Sequence, residues 1–272
     1  SFYGLSLKPF EVQGFLDNEI KKSIKGEPKN LEEKAISLIG RPLYEAFIRG
    51  YTLKQWGIDP VKLDAEIFNR LPVRHNYDTR YFTDPWQGIP KEGYSALFNN
   101  LLSSSKIDIS LKTDYFEIRD RVPKGCTVIF TGPIDSFFDY KYGHLNWRSL
   151  RFETMYHDVA DYQGTSVVNY ADQEIPYTRI HEFKHYHPER RHEVDSTIVY
   201  KEFPLACTPD REPYYPVGTK EDRIHFKEYL NKASRLPNVI FGGRLGLYQY
   251  LNMDQVVLQA LDTFDKKVKK KG

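Results

Sequence analysis

Cysteines and long apolar runs are scarce in this sequence of 272 residues, and neither sign of charge predominates. Its two cysteines, Cys126 and Cys207, cannot form a disulfide framework and are typical of a protein kept in a reducing cytoplasm. No run approaches the roughly 18 apolar residues of a membrane span, and residues 1–12 lack the basic flank and apolar block of a signal peptide. A net charge of +2 creates no global field for nucleic acid. The expectation is a cytoplasmic globular protein that binds neither membranes nor nucleic acid.

The usual signatures of nucleophilic and metal-dependent catalysis are missing as well. The chain has no Ser-His-Asp order, no Cys-His pairing and no glycine-rich P-loop. Four histidines do cluster, at His181, His185, His187 and His192. The charges interspersed with them are typical of an exposed hairpin end, so no metal site is predicted.

Aromatic residues are abundant by contrast, with 20 tyrosines, 17 phenylalanines and 3 tryptophans making 15% of the chain. A tyrosine can stack on a base or sugar and still donate a hydrogen bond to a phosphate or hydroxyl. This abundance favours a nucleotide or sugar ligand without identifying one.

Hydrophobic periodicity predicts an α+β fold in which helices come first, strands follow and one strand-turn-helix unit ends the chain. Helical patterns cover residues 11–25, 31–50, 60–69, 94–102, 221–233 and 254–267. A capping box is expected at Asn30 and Glu33, and a helix break at residues 40–42. Alternating residues predict a mostly antiparallel sheet. The strand signals cover residues 107–111, 115–118, 127–130, 149–154, 166–170, 177–185 and 197–203, and a last strand at 239–241 has no obvious parallel neighbour.

Three arginines lie in settings suited to an anionic ligand. Arg244 lies in the glycine-rich turn of residues 242–254, where a helix start offers free N–H groups. Arg70 begins a proline-stiffened loop, and its planar fork suits a diphosphate. Arg179 begins a strand. Each pattern is also typical of an ordinary turn, a solvated loop or a strand arginine. The residues alone therefore indicate an α+β protein that binds an anionic, aromatic ligand.

Several stretches, taken in order, resemble UDP-galactopyranose mutases of the bacterial type. They are LYEAF at 43–47, GYTLKQWG at 50–57, RLPVRHNYD at 70–78, QGIP at 87–90, TGPID at 131–135, DYQG at 161–164, VNY at 168–170, PYTRI at 176–180, PYYP at 213–216, GRLG at 243–246 and YLNMD at 250–254. The matches span nearly the whole chain and are highly specific as a set.

The resemblance implies a flavin-dependent isomerase that interconverts UDP-galactopyranose and UDP-galactofuranose for cell-wall or O-antigen polysaccharide. In that family the reduced FAD is thought to attack the anomeric carbon through its N5 atom, giving a flavin–sugar adduct and releasing UDP. The protein's part is positioning and charge stabilisation, because the cofactor makes the bonds.

The resemblance also implies roles for particular residues. Arg70 and Arg179 would act in catalysis by closing on the diphosphate. Substrate contacts are implied for Phe47, Tyr51, Trp56, Tyr81, Tyr215 and Tyr250. Cofactor contacts are implied for Arg244, Tyr250, Leu251 and Met253.

One departure from the family pattern bears on the cofactor. The family begins with a Gly-x-Gly-x-x-Gly dinucleotide-binding unit, and this sequence contains none. We therefore expect an N-terminally truncated mutase or half of a split one, with a homodimer and a separate N-terminal FAD-binding fragment as candidate partners. The expected organisation is a sheet-associated strand over residues 1–12, a helical domain with a mobile substrate loop over 13–105, an antiparallel sheet domain over 106–220 and the C-terminal part of an FAD-binding Rossmann-like domain over 221–272. The alternative is a non-catalytic remnant that still binds UDP-sugars.

Overall fold

The computed structural model describes residues 2–23, 26–70, 73–78, 80–189 and 194–269, without the side chains of residues 69 and 70. Its α-helices are α1 (Pro9–Lys21), α2 (Leu31–Ile39), α3 (Arg41–Leu43), α4 (Gly50–Trp56), α5 (Gly93–Leu101), α6 (Tyr115–Ile118), α7 (Ile134–Phe137), α8 (Lys220–Ala233), α9 (Gly243–Gly246) and α10 (Met253–Thr263). Shorter or wider helical turns cover Tyr44–Arg49, Pro60–Lys62, Ala65–Arg70, Arg119–Arg121, Phe183–Tyr186 and Phe264–Val268. Residues 44–49 join α3 to α4 without a break.

The strands form two sheets. They are β1 (Val128–Phe130), β2 (Trp147–His157), β3 (Val167–Asn169), β4 (Arg179–Glu182), β5 (Thr197–Ala206), β6 (Tyr215–Pro216) and β7 (Val239–Phe241). Five of them make an antiparallel sheet in the order β3-β4-β5-β2-β6. Together with the helices, this sheet confirms the α+β class.

The strand at 239–241 does have a parallel neighbour, contrary to expectation. β1 and β7 pair in parallel, with Phe130 opposite Phe241. The sequence assigned 127–130 to the antiparallel sheet because a short apolar run carries no information about its partner.

Three other expectations were wrong. Residues 107–111 form turns and irregular backbone, and residues 115–118 form α6, which the Asp114 carboxylate caps by accepting from the Phe116 N–H. The described part of 1–12 contains no strand, because Pro9 already begins α1. The Asn30 side chain caps α2 by accepting from the Glu33 N–H at 2.9 Å. In a full capping box the Glu33 side chain would accept from the backbone N–H of Asn30. It accepts instead from the backbone N–H of Lys29, one residue earlier.

The buried apolar residues of the described chain include two clusters. The first unites the early helices with β6 through Leu31, Ala35, Ile36, Tyr44, Trp56, Leu63, Phe68 and Val217. The second joins β2 to α7, α8 and the turn after α9 through Ile134, Leu145, Trp147, Tyr229 and Tyr248. Tyr215 of β6 and Tyr250 of the glycine-rich turn both pack against the first cluster, so β6 and the turn contact the early helices. In the part of the chain that is described, no helix has the length and hydropathy that a membrane crossing needs.

Candidate functional site

An aromatic platform, formed by Trp56, Tyr215 and Tyr250, lies where α4, β6 and the turn after α9 meet. The Tyr215 and Tyr250 rings are stacked, with centroids 5.0 Å apart and planes 8° from parallel. The Trp56 ring lies 6.5 Å from Tyr215 and 5.9 Å from Tyr250. The Arg244 guanidinium carbon lies 5.2 Å and 4.9 Å from the centroids of the two tyrosine rings, within cation–π range. Trp56 is only 7% exposed, so the platform consists of two half-buried tyrosine rings on a buried tryptophan, beside a positive charge.

A second arginine is held on β4 by an acidic residue of β5. Arg179 Nε and Nη2 both donate to Glu202 Oε1, at 3.1 Å and 2.7 Å. The other carboxylate oxygen lies 3.0 Å from His181 Nε2. Glu202 is only 3% exposed, and its charge is paired with the Arg179 guanidinium, while His181 lies within hydrogen-bond distance of its other oxygen. The ion pair does not use Arg179 Nη1, which leaves donor capacity for an anion.

The pKa values of this pair follow from its surroundings. Burial alone would raise the pKa of Glu202, but the hydrogen bonds and charges of His181 and Arg179 outweigh it and lower the pKa below its ordinary value. Burial would lower the pKa of Arg179, whereas Tyr51 and Glu202 raise it, and the net direction is upward. Arg179 is thus a permanent cation.

Tyr51 connects this ion pair to the aromatic platform. Burial raises the pKa of its phenol to about 12, with the Arg179 charge acting in the opposite direction. Glu202, Tyr215 and Tyr81 also act electrostatically on the same hydroxyl. The Tyr51 hydroxyl is therefore protonated at neutral pH and can donate a hydrogen bond to an anion held by Arg179.

Arg148 fixes the end of α4 that carries Trp56. Its Nε donates to the Gln55 carbonyl at 2.8 Å and its Nη2 to the Lys54 carbonyl at 3.1 Å. A cation at these carbonyls also complements the negative end of the helix. The backbone of Arg148 lies opposite Tyr215 in the pairing of β2 with β6, while its side chain reaches the end of α4. Arg148 therefore connects the strand of Tyr215 to the helix of Trp56.

The glycine-rich turn is held by its own hydrogen bonds. Arg244 Nε donates to the Leu251 carbonyl at 3.1 Å and Nη1 to the Tyr214 carbonyl at 3.0 Å. Tyr248 adopts a left-handed backbone conformation with φ of 48°. Its hydroxyl donates to the Asn146 carbonyl at 2.7 Å, which anchors the turn to the segment before β2. Arg244 therefore organises the turn as well as flanking the platform.

Most of the residues that the resemblance implied do converge. The residues linked by ring contacts, hydrogen bonds or charge are Tyr51, Trp56, Tyr81, Arg179, Tyr215, Arg244, Tyr250 and Leu251. Their assigned roles remain proposals.

Other implied residues are not brought into this group. Phe47 is 51% exposed, and its ring makes an edge contact with Phe2 at 5.3 Å. Met253 begins α10 and is 66% exposed. Arg70 ends a helical turn, and its side chain lies outside the described part of the chain.

Sequence reasoning missed Glu202 and Arg148, and it considered His181 only as a possible metal ligand. Glu202 lies opposite Arg179 in the register of β4 and β5. The alternation of residues 197–203 would have placed Glu202 on a strand face, but only the pairing shows which basic residue it meets. Nothing in the sequence around Arg148 indicates that it reaches the end of α4.

A small cluster of potential metal ligands has a simpler explanation. Asp161, Glu182 and His185 bring ligand-type atoms within 4.8 Å of one another. His185 Nε2 lies 3.1 Å from Asp161 Oδ1. Both Glu182 oxygens accept backbone N–H groups, from Tyr162 at 3.0 Å and Gln163 at 2.9 Å. These bonds make the cluster a hydrogen-bonded polar network in which Glu182 is buried and Asp161 is exposed.

Comparisons with known proteins identify the family of the chain. A family model for UDP-galactopyranose mutase matches residues 46–250. A probable UDP-galactopyranose mutase from Klebsiella pneumoniae is 39% identical over 265 residues, which is 97% of this chain and 67% of the relative. A dTDP-fucopyranose mutase from Escherichia coli is 37% identical over 265 residues, which is 96% of this chain and 70% of that relative. The chain thus spans about two thirds of the length of these relatives.

The fold has a solved counterpart. A crystal structure of reduced UDP-galactopyranose mutase aligns with a TM-score of 0.65, covering 94% of this chain and 72% of that chain. The aligned residues are 13% identical, so this likeness supports the fold.

Proposed function

The chain belongs to the UDP-galactopyranose mutase family, and from that premise we propose that it carries the nucleotide-sugar site of a flavin-dependent isomerase. The reaction would interconvert UDP-galactopyranose and UDP-galactofuranose. The observation that carries the proposal is the combination of the stacked Tyr215 and Tyr250 rings with the ion-paired Arg179, whose charge acts on Tyr51 and Tyr215, since a nucleoside diphosphate sugar presents charge and a flat base together.

The chain's own residues would act by holding charge. Arg179 offers a permanent cation to the diphosphate, and the protonated Tyr51 hydroxyl adds a hydrogen bond. UDP leaves and returns in this reaction, so the contacts to it must hold the leaving group between the two steps. The ion pair with Glu202 fixes the Arg179 fork in advance, which avoids reorganisation when the phosphate charge increases.

The residues after the parallel strands fit a dinucleotide cofactor such as FAD. The carboxyl ends of β1 and β7 lie side by side, and ligands of parallel sheets bind outside such ends. Gly242 follows β7, and a Cβ atom there would meet nothing within 4 Å. Arg244, Tyr250, Leu251 and Met253 are the proposed cofactor contacts. Bound in its reduced form, FAD would supply the nucleophile that takes the sugar from UDP.

Two measurements test the proposal. Calorimetric titration of UDP into the purified chain should show binding that is competed by UDP-galactose. Incubation with FAD, dithionite and UDP-galactopyranose, followed by chromatography, should show UDP-galactofuranose if the chain is catalytic alone. Absence of UDP binding to a folded chain would refute the site assignment.

The same measurements separate two classes of protein. A chain that binds UDP but neither retains flavin nor isomerises the sugar is the non-catalytic nucleotide-sugar binder. Recovery of flavin absorbance and turnover when a dinucleotide-binding segment is added identifies half of a two-part mutase.

A second substrate is supported by the Escherichia coli relative named dTDP-fucopyranose mutase. It differs from the first in both base and sugar. Competition titrations with UDP and dTDP on the same preparation decide between them. A clear preference for dTDP would assign the chain to the fucose reaction.

A further inference from the structure

Lys54 has an unusual set of partners for a lysine on a half-buried helix face. Its Nζ donates to the carbonyl oxygens of Tyr170 and Asp172 at 2.8 Å each, and to those of Ile175 and Tyr177 at 3.0 Å each. An ammonium has three N–H donors, so four oxygens can surround it only if two of them share one N–H group. No described carboxylate forms an ion pair with it, so the backbone carbonyls are its direct partners, while Asp172 and Glu174 of the same segment act on its charge from farther away.

The four carbonyls all belong to one hairpin. Residues 170–177 connect β3, which ends at Asn169, to β4, which begins at Arg179. Tyr170 N–H donates to the Thr178 carbonyl at 2.9 Å and closes the base of the hairpin. The last carbonyl that Lys54 contacts thus lies two residues before Arg179.

The helix that carries Lys54 also carries two residues of the site. Tyr51 precedes Lys54 by one turn of α4, and Trp56 ends the same helix. Gly50 brings the helix backbone against the hairpin, since a Cβ there would collide with the Ala171 carbonyl. The helix and the hairpin are therefore in contact at Gly50 and tied together at Lys54.

We infer that Lys54 is a positioning residue that sets the distance between α4, with Tyr51 and Trp56, and the strand that carries Arg179. The inference rests on the proposed nucleotide-sugar site. It adds the contact that keeps α4 and the strand of Arg179 at a fixed distance from each other. Phosphate and aromatic contacts require both sides at once, and displacements of about 1 Å in such sites can cost up to ~100-fold in rate.

The chemistry of the clamp explains why lysine is used. A single nitrogen must reach four oxygens, which a compact ammonium on a flexible stem can do. The planar guanidinium of an arginine would direct its donors along fixed, diverging lines. A methionine has a similar length but no donor, so Lys54→Met removes the clamp while largely keeping the packing.

The chain offers a matched control in Lys184. Its Nζ also donates to three carbonyls, those of Ala160, Val194 and Ser196, at 2.7 Å, 3.2 Å and 3.0 Å. None of these carbonyls belongs to the 170–177 hairpin or to α4. Lys184→Met therefore removes a comparable clamp in another place.

The experiment compares UDP affinity and hydrogen exchange in wild type, Lys54→Met, Lys54→Arg and Lys184→Met. We expect Lys54→Met to weaken UDP binding by about tenfold or more, and to speed amide exchange in residues 170–177. Lys54→Arg should show the same changes in smaller measure. Lys184→Met should leave UDP affinity and exchange in that hairpin as in wild type.

The outcomes separate the inference from the function on which it rests. Wild-type affinity in a folded Lys54→Met chain, or equal losses in Lys54→Met and Lys184→Met, would overturn it. If Lys54→Met does not fold, Lys54→Arg decides in its place. If wild type itself fails to bind UDP, the proposed function fails, and unchanged exchange at 170–177 in Lys54→Met would then overturn the clamp as well.

Discussion

Arg179 is the residue whose chemistry depends most on one neighbour. Glu202 holds the Arg179 guanidinium in an ion pair, and the charge of Arg179 also interacts with the Tyr51 hydroxyl. We predict that Arg179→Lys weakens UDP binding by roughly tenfold to a hundredfold, because an ammonium cannot hold the carboxylate and a phosphate with the same planar fork. Calorimetric titration measures the change.

The control for this substitution is Arg151→Lys. Arg151 lies on β2 with its guanidinium over the Phe203 ring, in an exposed position. UDP affinity should be the same as in wild type. An equal loss in both variants would mean that general charge, and not the Arg179 fork, holds the ligand.

Glu202 should make stability depend on pH in the acid range. Its pKa is lowered in the folded state from an ordinary value of 4.5, so its ionised form stabilises the fold above that pH. The contribution is lost as the pH falls through the folded-state pKa. At neutral pH we expect Glu202→Gln to cost about 1–3 kcal/mol.

Urea unfolding measures the free energy of unfolding of wild type and of Glu202→Gln, first at neutral pH and then at successively lower pH. The difference between the two free energies of unfolding should shrink as the pH falls below 4.5. A difference that stays constant over this range would show that Glu202 is not ionised in the folded protein.

Single residues could be nominated from the sequence more readily than their partners. Arg179, Tyr215 and Tyr250 were nominated because they lie in specific motifs. Glu202 and Arg148 were not, because their function depends on which strand or helix end lies opposite. Strand register and packing decide which residues lie opposite each other, and a local stretch of sequence does not show them.

At the scale of elements, the end of α4 is a tight junction. Gly57 ends the helix with a φ of 65°, and a Cβ there would lie 2.7 Å from Arg148 Nη1. Gly57→Ala should therefore destabilise the protein by at least about 1 kcal/mol, through left-handed strain and displacement of the Arg148 cap.

Urea unfolding of Gly57→Ala tests this, with Gly88→Ala as the matched control. Gly88 has open space around its Cβ position and no positive φ. Its substitution should change the free energy of unfolding by less than about 0.5 kcal/mol. Equal effects at both glycines would contradict a special role for the junction.

Element type was predictable where periodicity was long and uncertain where it was short. The α2 break at Gly40 and the long helix α8 were expected from glycine, proline and apolar spacing. The run at 115–118 is only four residues long, and it forms a helix because the Asp114 side chain caps its first turn. Short apolar runs fit either element until capping or pairing selects one.

At the scale of the molecule, one region has apolar surface without a described partner layer. β1 and β7 pair only with each other within the described residues, and Ile129 is 57% exposed. On α10, Met253, Val257 and Leu261 are spaced at helical intervals and mostly exposed. Parallel strands are normally buried on both faces, so this region is suited to further strands and helices.

We predict that the chain alone retains little FAD. Co-expression with the part of the Klebsiella pneumoniae relative that it does not match should increase the flavin that co-purifies. The physical reason is that added parallel strands would complete the sheet whose carboxyl ends face the glycine-rich turn. Visible absorbance of the purified protein measures the flavin.

A pair of equally exposed leucine and isoleucine positions provides the control. Leu258 on α10 and Ile224 on α8 are each 63% exposed. Leu258→Glu should abolish the gain in flavin, and Ile224→Glu should leave it. If chromatography shows instead that the chain self-associates through this face, the covering layer is a second copy.

The sequence by itself determined the family and the α+β class and nominated most of the residues proposed for the site, because these depend on local motifs and residue type. The tertiary structure decided what those residues meet: β1 beside β7, Glu202 opposite Arg179, and Lys54 and Arg148 at the two sides of α4. Each of these contacts joins segments far apart in the chain. Their geometry is set by packing and register, which act only once the chain has folded.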